Sequence, residues 1–183
     1  METNMMPTSV YDDVQAARRY AVEMHDGQLY GGQPYVYHLD AVASALAPFG
    51  PTAQVIGYLH DVVEDTGATV QAVRERFGSF NADAVALLTD EPGATRKERK
   101  ARTYAKLSTV TGPLELALVA KVADRLSNVR ECLLEGNVPM WDIYRSEHVA
   151  FRTAAFRPGR CDDMWVELDA LLAPTSPPTS SDA

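Results

Sequence analysis

The chain has 183 residues, of which 46% are hydrophobic and 23% are charged, values that exclude a disordered protein and fit one compact domain. Its formal net charge of -8 at pH 7 argues against binding to nucleic acid polymers or anionic membranes, since both need basic surfaces. No apolar run reaches the roughly 20 residues that span a bilayer, and the N-terminus lacks the features of a signal peptide, so we expect a cytoplasmic protein.

Apolar residues recur at helical spacing along most of the chain, and Gly and Pro residues divide them into separate helices. No segment shows the sustained alternation of a strand, so the sequence predicts an all-α helical bundle. We expect a flexible N-terminus at 1–9, one domain at 10–172 and a disordered tail rich in Pro, Ser and Thr at 173–183. The predicted helices are 10–25, 38–46, 51–66, 70–77, 81–89, 96–107, 114–132, 139–156 and 161–172.

The densest group of ionisable side chains lies in the third predicted helix, in the segment HDVVEDT. On a continuous helix, four of these side chains fall within an arc of about 140° and would face one cavity. A divalent cation there would offset the repulsion between the carboxylates. The alternative interpretation is a solvated polar face, which the apolar residues VIGYL just before it make less favourable. The four residues are His60, Asp61, Glu64 and Asp65.

Two further residues are candidate metal ligands because of where they lie in the chain. His38 begins the second predicted helix, and Asp124 lies within the apolar run LALVAKVADRL, where an unpaired carboxylate would be costly. Imidazole and carboxylate groups with open positions for water suit a first-row divalent metal. These ligand types do not distinguish Mn from Fe, Co or Zn.

The motifs resemble those of small alarmone hydrolases of the HD superfamily, stand-alone relatives of the RelA/SpoT hydrolase domain that include the metazoan SpoT homologue. Matching segments read HDGQ, GQPYVYH, HDVVEDT, RFG, LTD and KVADRLSN, and they span roughly residues 14–155. The resemblance implies an HD-domain helical bundle and one divalent metal, usually Mn²⁺. It also implies that the metal ligands are His38, His60, Asp61 and Asp124.

The same resemblance implies that Glu64 and Asp65 position and activate a water molecule as general acid and base. The alternative is an ordinary acidic pair at a helix turn. Within helix 114–132, Lys121 and Asn128 share a face with Asp124 and can contact substrate. Arg125 fits a surface cation as well as it fits a substrate contact. The expected substrate-binding residues are Tyr30, Tyr35, Arg96, Lys97, Lys100, Lys121, Asn128 and Tyr144.

Some of these substrate contacts have open alternatives. The basic segment 96–102 wraps around its helix, so several of its side chains must be solvated. Tyr35 and Tyr144 also fit core aromatic residues. In the long RelA/SpoT enzymes the loop resembles RKSGEPY, but here it reads LYGGQPY, so the basic pair is absent and Tyr30 offers an aromatic face for a purine.

The activity implied by the resemblance is removal of the 3′-pyrophosphate from (p)ppGpp, or from the adenosine alarmone (p)ppApp, since the residues fit both bases. With no synthetase region expected, the protein would degrade these nucleotides and restrain the stringent response. Two alternatives stay open: an HD-type nucleotidase, acting for example on NADPH, and a catalytically silent nucleotide sensor. The sequence leaves open whether the protein is a homo-oligomer.

Overall fold

The structure, a computed structural model, describes residues 10–173. The predicted flexible segment 1–9 and residues 174–183 of the predicted tail lie outside the described residues. Between residues 10 and 173 the chain is largely helical, which confirms the predicted all-α fold. Its helices are α1 (Val10–Met24), α2 (Val36–Ala45), α3 (Pro51–Leu59), α4 (Val62–Asp65), α5 (Val70–Leu88), α6 (Arg96–Ser108), α7 (Glu115–Leu134), α8 (Val138–Ala155) and α9 (Asp162–Leu171).

Helix α7 forms the centre of the bundle. It contacts α2, α3, α5, α8 and α9, and its apolar residues, among them Leu118, Val122 and Leu126, are buried. A helix with apolar residues on most of its circumference is typical of such a central position. None of the helices between residues 10 and 173 combines the length and the apolar character needed to cross a membrane.

The core has two apolar clusters that meet at α2 and α3. One cluster packs α6, α7, α8 and α9 around Trp165 and Phe151, whose ring centroids are 5.3 Å apart. The other packs α1, α2, α3 and α5 together and includes Leu39 and Leu59. Because α2 and α3 pack against each other and against α7, residues from these three helices can converge in the interior.

Gly57 lets α2 and α3 approach closely. A Cβ atom at this position would lie 2.7 Å from Cδ1 of Leu46 and 3.3 Å from Cα of Ala43 on the neighbouring helix. The Leu46 side chain would have to shift, and the backbone of α2 would have to move away by a few tenths of an ångström. The absence of a side chain at Gly57 therefore determines how close the buried ends of α2 and α3 lie.

The prediction of one continuous helix over 51–66 is wrong, because His60 and Asp61 form a turn between α3 and α4. Nδ1 of His60 donates a hydrogen bond to the carbonyl oxygen of Gly57 at 2.7 Å. In a continuous helix that oxygen would accept from the amide of Asp61. The ionisable residues of this segment therefore line a bend instead of one helical face.

The Gly-rich segment 27–37, predicted to be a loop, contains a short hairpin that the sequence did not predict, and its last two residues already belong to α2. Strand β1 (Leu29–Tyr30) pairs antiparallel with β2 (Gln33–Pro34). Each strand has only two residues, too few to show an alternating pattern. Helix α5 matches the two predicted segments more closely, since Gly78 interrupts it with a φ of 84° that favours glycine.

Candidate metal centre and active site

Four side chains from α2, the α3–α4 turn and α7 converge in the interior. Nε2 of His38 lies 3.3 Å from Nε2 of His60 and 3.4 Å from Oδ1 of Asp124. Oδ2 of Asp61 lies 2.8 Å from Nε2 of His60 and 3.7 Å from Nε2 of His38. Single ligand atoms of His38, His60 and Asp124 all lie within 4.8 Å of one another, which is close enough for one ion.

The other ring nitrogens of the two histidines are held by outer partners. His60 donates from Nδ1 to the carbonyl oxygen of Gly57, and Nδ1 of His38 lies 3.3 Å from Oγ of Ser127. This leaves both Nε2 atoms facing the carboxylates, as is usual for histidines that bind a metal. Two imidazoles and two carboxylates are a donor set that fits a first-row divalent cation.

The charges of this cluster are strongly coupled. Burial alone would raise the pKa of Asp61 and Asp124, but nearby cations outweigh burial and lower both pKa values. The main cation is His60 for Asp61 and Lys121 for Asp124, where Nζ lies 3.3 Å from Oδ2. Burial would lower the pKa of His60, but the two carboxylates raise it to about 10. The cluster therefore attracts positive charge.

The two predicted catalytic acids lie on α4, beside the cluster. The hydroxyl of Tyr35 lies 2.7 Å from Oδ2 of Asp61 and 3.0 Å from Oδ2 of Asp65, and can donate to either. Oε2 of Glu64 accepts from the backbone amide of Asp90 at 2.8 Å. Burial raises the pKa of both Glu64 and Asp65. Carboxyl groups with raised pKa values are suited to accept and release protons near neutral pH.

A polar cavity of about 180 Å³ adjoins the metal cluster and the two acids. Four cationic side chains from α6 and α7 line it together with the carboxylates of the cluster and of α4. This distribution suits an anionic ligand whose reacting atom lies near the metal cluster. The lining residues are Tyr35, His38, Asp61, Glu64, Asp65, Arg96, Lys100, Lys121, Asp124, Arg125, Asn128 and Tyr144.

Two acidic residues that hold the cations were missed in the sequence. Glu147 accepts from Arg96 at 2.7 and 3.2 Å and from Arg125 at 3.1 Å, and Asp90 binds Nζ of Lys100 at 2.8 Å. Asp90 belongs to the LTD segment, which was a usable signal. Glu147 has no local signal, because its partners lie 51 and 22 residues away along the chain.

Arg125 is buried, which excludes the surface-cation interpretation. Its guanidinium carbon lies 4.7 Å from the ring centroid of Tyr144 and 4.6 Å from that of Phe151. It also donates to the hydroxyl of Tyr104 at 2.8 Å and to Glu147. Aromatic and carboxylate contacts therefore stabilise the buried guanidinium of Arg125.

Comparisons with known proteins agree with this architecture. No protein-family model matches the chain. Over 127 residues, or 64% of the chain, it is 41% identical to a probable GTP pyrophosphokinase of Mycobacterium leprae. Over 122 residues, or 65% of the chain, it is 34% identical to a guanosine-3′,5′-bis(diphosphate) 3′-pyrophosphohydrolase of Aquifex aeolicus. The chain spans only 15% and 18% of these two relatives.

Two solved structures share the fold. A metazoan orthologue of SpoT that hydrolyses ppGpp has a TM-score of 0.70 at 22% identity, and the match covers 91% of this chain and 97% of that one. The protein lmo0812 of Listeria monocytogenes has a TM-score of 0.62 at 27% identity, with 77% and 94% covered. The chain carries a RelA/SpoT-type hydrolase domain. This confirms the predicted HD-domain bundle.

The RelA/SpoT-type domain places all but three of the predicted site residues on the lining of one cavity. His60 contacts that lining through His38 and the adjacent Asp61. Tyr30 is not among the lining residues, but its ring stacks on that of His38 at 4.5 Å between centroids. Lys97 is exposed and is not part of the lining, so its role as a substrate contact stays a prediction.

Proposed function

We propose that this chain is a metal-dependent hydrolase that removes the 3′-pyrophosphate from purine alarmones such as (p)ppGpp or (p)ppApp. The observation that carries the proposal is one cavity bordered by a metal-type cluster, two acids with raised pKa values and four lysine or arginine side chains. The names of several relatives support the same reaction. In the cell, the protein would act in the cytoplasm and restrain the stringent response.

The metal would be held by His38, His60, Asp61 and Asp124, and we take Mn²⁺ as the working metal. When bound, such a cation acts as a Lewis acid on a phosphoryl oxygen and lowers the pKa of a bound water. The protein contributes an arrangement in which both histidines are already oriented by their Nδ1 partners. Other first-row divalent metals have compatible ligand preferences and belong in the same assay.

The acids of α4 supply the proton transfers of this hydrolysis. Asp65 accepts a proton from the attacking water, and the Tyr35 hydroxyl orients its carboxylate. The water oxygen bonds to the nearer phosphorus as the bond from that phosphorus to the ribose 3′ oxygen breaks. Glu64, oriented by the backbone amide of Asp90, gives a proton to that oxygen. The products are pyrophosphate and a nucleotide with a free 3′ hydroxyl.

The cationic side chains of the cavity bind the phosphates. Arg96 and Lys100 reach the lining from α6, and Lys121 and the buried Arg125 reach it from α7. Asn128, Tyr35 and Tyr144 provide the remaining substrate contacts. Lys97 and Tyr30 lie outside this lining, so the proposed contacts of the substrate do not depend on them.

The decisive experiment measures turnover of ppGpp, ppApp and NADPH with Mn²⁺, with separate detection of pyrophosphate and orthophosphate. Pyrophosphate release from an alarmone is the expected result, and it should fall at least about a hundredfold in Glu64→Gln and Asp65→Asn. Glu23→Gln, at an exposed position of α1, is the matched control and should keep full activity. Orthophosphate alone would indicate a nucleotidase, and nucleotide binding without turnover would indicate a sensor.

A further inference from the structure

A chain of hydrogen bonds links the β1–β2 hairpin to the metal cluster. The hydroxyl of Tyr30 donates to Oδ1 of Asn128 at 2.8 Å. Nδ2 of Asn128 donates in turn to Oδ1 of Asp124 at 2.5 Å and to the backbone carbonyl of Asp124 at 3.1 Å. Tyr30 and Asn128 are 98 residues apart in sequence, so this contact joins two distant segments.

The Tyr30 hydroxyl determines which end of the Asn128 amide faces the metal ligand. An asparagine side chain presents an acceptor at one end and two donors at the other. With its oxygen held by Tyr30, Asn128 turns its NH₂ group toward the carboxylate of Asp124. The reverse orientation would place the amide oxygen against that carboxylate, which is unfavourable because both are acceptors.

The ring of Tyr30 supports a second member of the cluster. It stacks on the imidazole of His38 with 4.5 Å between centroids and 23° between the ring planes. His38 is almost fully buried, so this contact restricts the plane of its ring. Tyr30 therefore acts on His38 directly and on Asp124 through Asn128.

We propose that Tyr30 is a positioning residue for the metal centre, and that it orients Asp124 through Asn128 and His38 through ring stacking. The inference rests on the metal-binding part of the proposed function but not on its substrate. It differs from the sequence interpretation, in which Tyr30 offered its face to a purine, because one face of the ring already lies against His38.

The test is the dissociation constant of Mn²⁺ for the nucleotide-free protein, measured by isothermal titration calorimetry. Tyr30→Phe removes only the hydroxyl and should weaken Mn²⁺ binding by about tenfold, the lower end of the effect of outer-shell partners on metal affinity. Tyr30→Leu also removes the stacked ring and should weaken binding further. Tyr37→Phe, at a half-exposed tyrosine next to His38, should bind Mn²⁺ like the wild type.

A double-mutant cycle tests the route through Asn128. If Tyr30 acts on Asp124 through Asn128, Tyr30→Phe should cause little further loss of Mn²⁺ affinity in an Asn128→Leu background. Full additivity of the two substitutions would contradict that route. Circular dichroism and the melting temperature of each metal-free variant establish that it is folded before its affinity is interpreted.

The outcome is independent of the substrate. Tyr30→Phe with unchanged Mn²⁺ affinity would overturn the inference, and a raised KM for the alarmone in that variant would return Tyr30 to the role of a substrate contact. If the wild type binds Mn²⁺ but releases no pyrophosphate, the proposed reaction fails. A loss of Mn²⁺ affinity in Tyr30→Phe would then still support the positioning role.

Discussion

Glu147→Gln should destabilise the protein far more than an ordinary surface substitution, because Glu147 neutralises two arginines. Its side chain is 15% exposed and that of Arg125 only 5%, whereas that of Arg96 is 35% exposed. After the substitution Arg96 can turn toward water, but Arg125 is enclosed by aromatic rings and stays buried. The variant therefore leaves a buried guanidinium without a charged partner.

The size of the effect follows from this burial. Breaking a fully buried ion pair costs about 3–5 kcal/mol, and glutamine recovers part of this because its amide oxygen still accepts one hydrogen bond. We expect a loss of about 2–3 kcal/mol in the free energy of unfolding. For a domain of this size, that corresponds to a fall of roughly 4–12 °C in melting temperature.

Urea denaturation of Glu147→Gln and of a matched control measures the difference. In Glu167→Gln the lost partner is Arg130, and both side chains of that pair are about half exposed, so we expect a loss of about 0.5 kcal/mol. Equal losses in the two variants would refute the argument from burial. Glu167 suits this comparison because it also forms a two-point contact with its arginine.

The same pair predicts a pH dependence. Burial would raise the pKa of Glu147, but the arginines outweigh it and lower the pKa below its usual range. A carboxyl group with a lowered pKa in the folded state stabilises the protein above its unfolded pKa of about 4.3, and this stabilisation is lost as the pH falls further. The stability difference between wild type and Glu147→Gln should therefore be complete above about pH 5 and shrink below pH 4.

Three further predictions concern the core and the thiols. Gly57→Ala should destabilise the protein by about 1–2 kcal/mol in urea denaturation, because the cost of overpacking against α2 exceeds the gain in helix propensity. Arg157→Lys should lower the free energy of unfolding by about 1–2 kcal/mol in the same assay. One amine cannot replace a guanidinium that donates to five carbonyl oxygens around the ends of α6 and α8. Cys132 and Cys161 should react slowly with a disulfide reagent until urea is added, because burial raises the pKa of both thiols, that of Cys161 to about 11.

A specific result would contradict each of these three predictions. A Gly57→Ala protein as stable as the wild type would mean that α2 and α3 have room for a methyl group. Unchanged stability of Arg157→Lys would mean that its carbonyl contacts are replaced by water. Complete reaction of both cysteines in the native protein, at the rate seen in urea, would contradict their burial.

The candidate metal cluster could be predicted because its ionisable residues lie within or next to apolar segments of the sequence. Asp124 lies in an apolar run, and an apolar segment precedes His60. Both residues were therefore expected to be buried and to need a partner that offsets the cost of their desolvation. The helices were equally visible as runs of apolar residues at helical spacing. The bend at His60 was not, because it depends on a hydrogen bond from that side chain to the Gly57 carbonyl, which spacing does not encode.

Glu147, the partner of both arginines, could not be predicted from a sequence pattern. Glu147 meets Arg96 and Arg125 only after α6, α7 and α8 have packed together. For Arg125 the sequence left a surface cation and a substrate contact equally open, and the packing of α7 against its neighbours decides the matter by burying it. Both cases have the same physical origin, since tertiary packing determines the environment of a charged side chain.

The central position of α7 also limits how the site can change. Lys121, Asp124 and Asn128 lie on one rigid helix within two turns, so a shift that moves the lysine proposed to bind phosphate also moves the proposed metal ligand. Variation in nucleotide preference is therefore easier to accommodate around Tyr144 of α8, which borders the cavity on a helix that carries none of the proposed metal ligands. A directed-evolution library aimed at a new base should randomise positions around Tyr144 and leave α7, Tyr30, Tyr35 and Glu147 fixed.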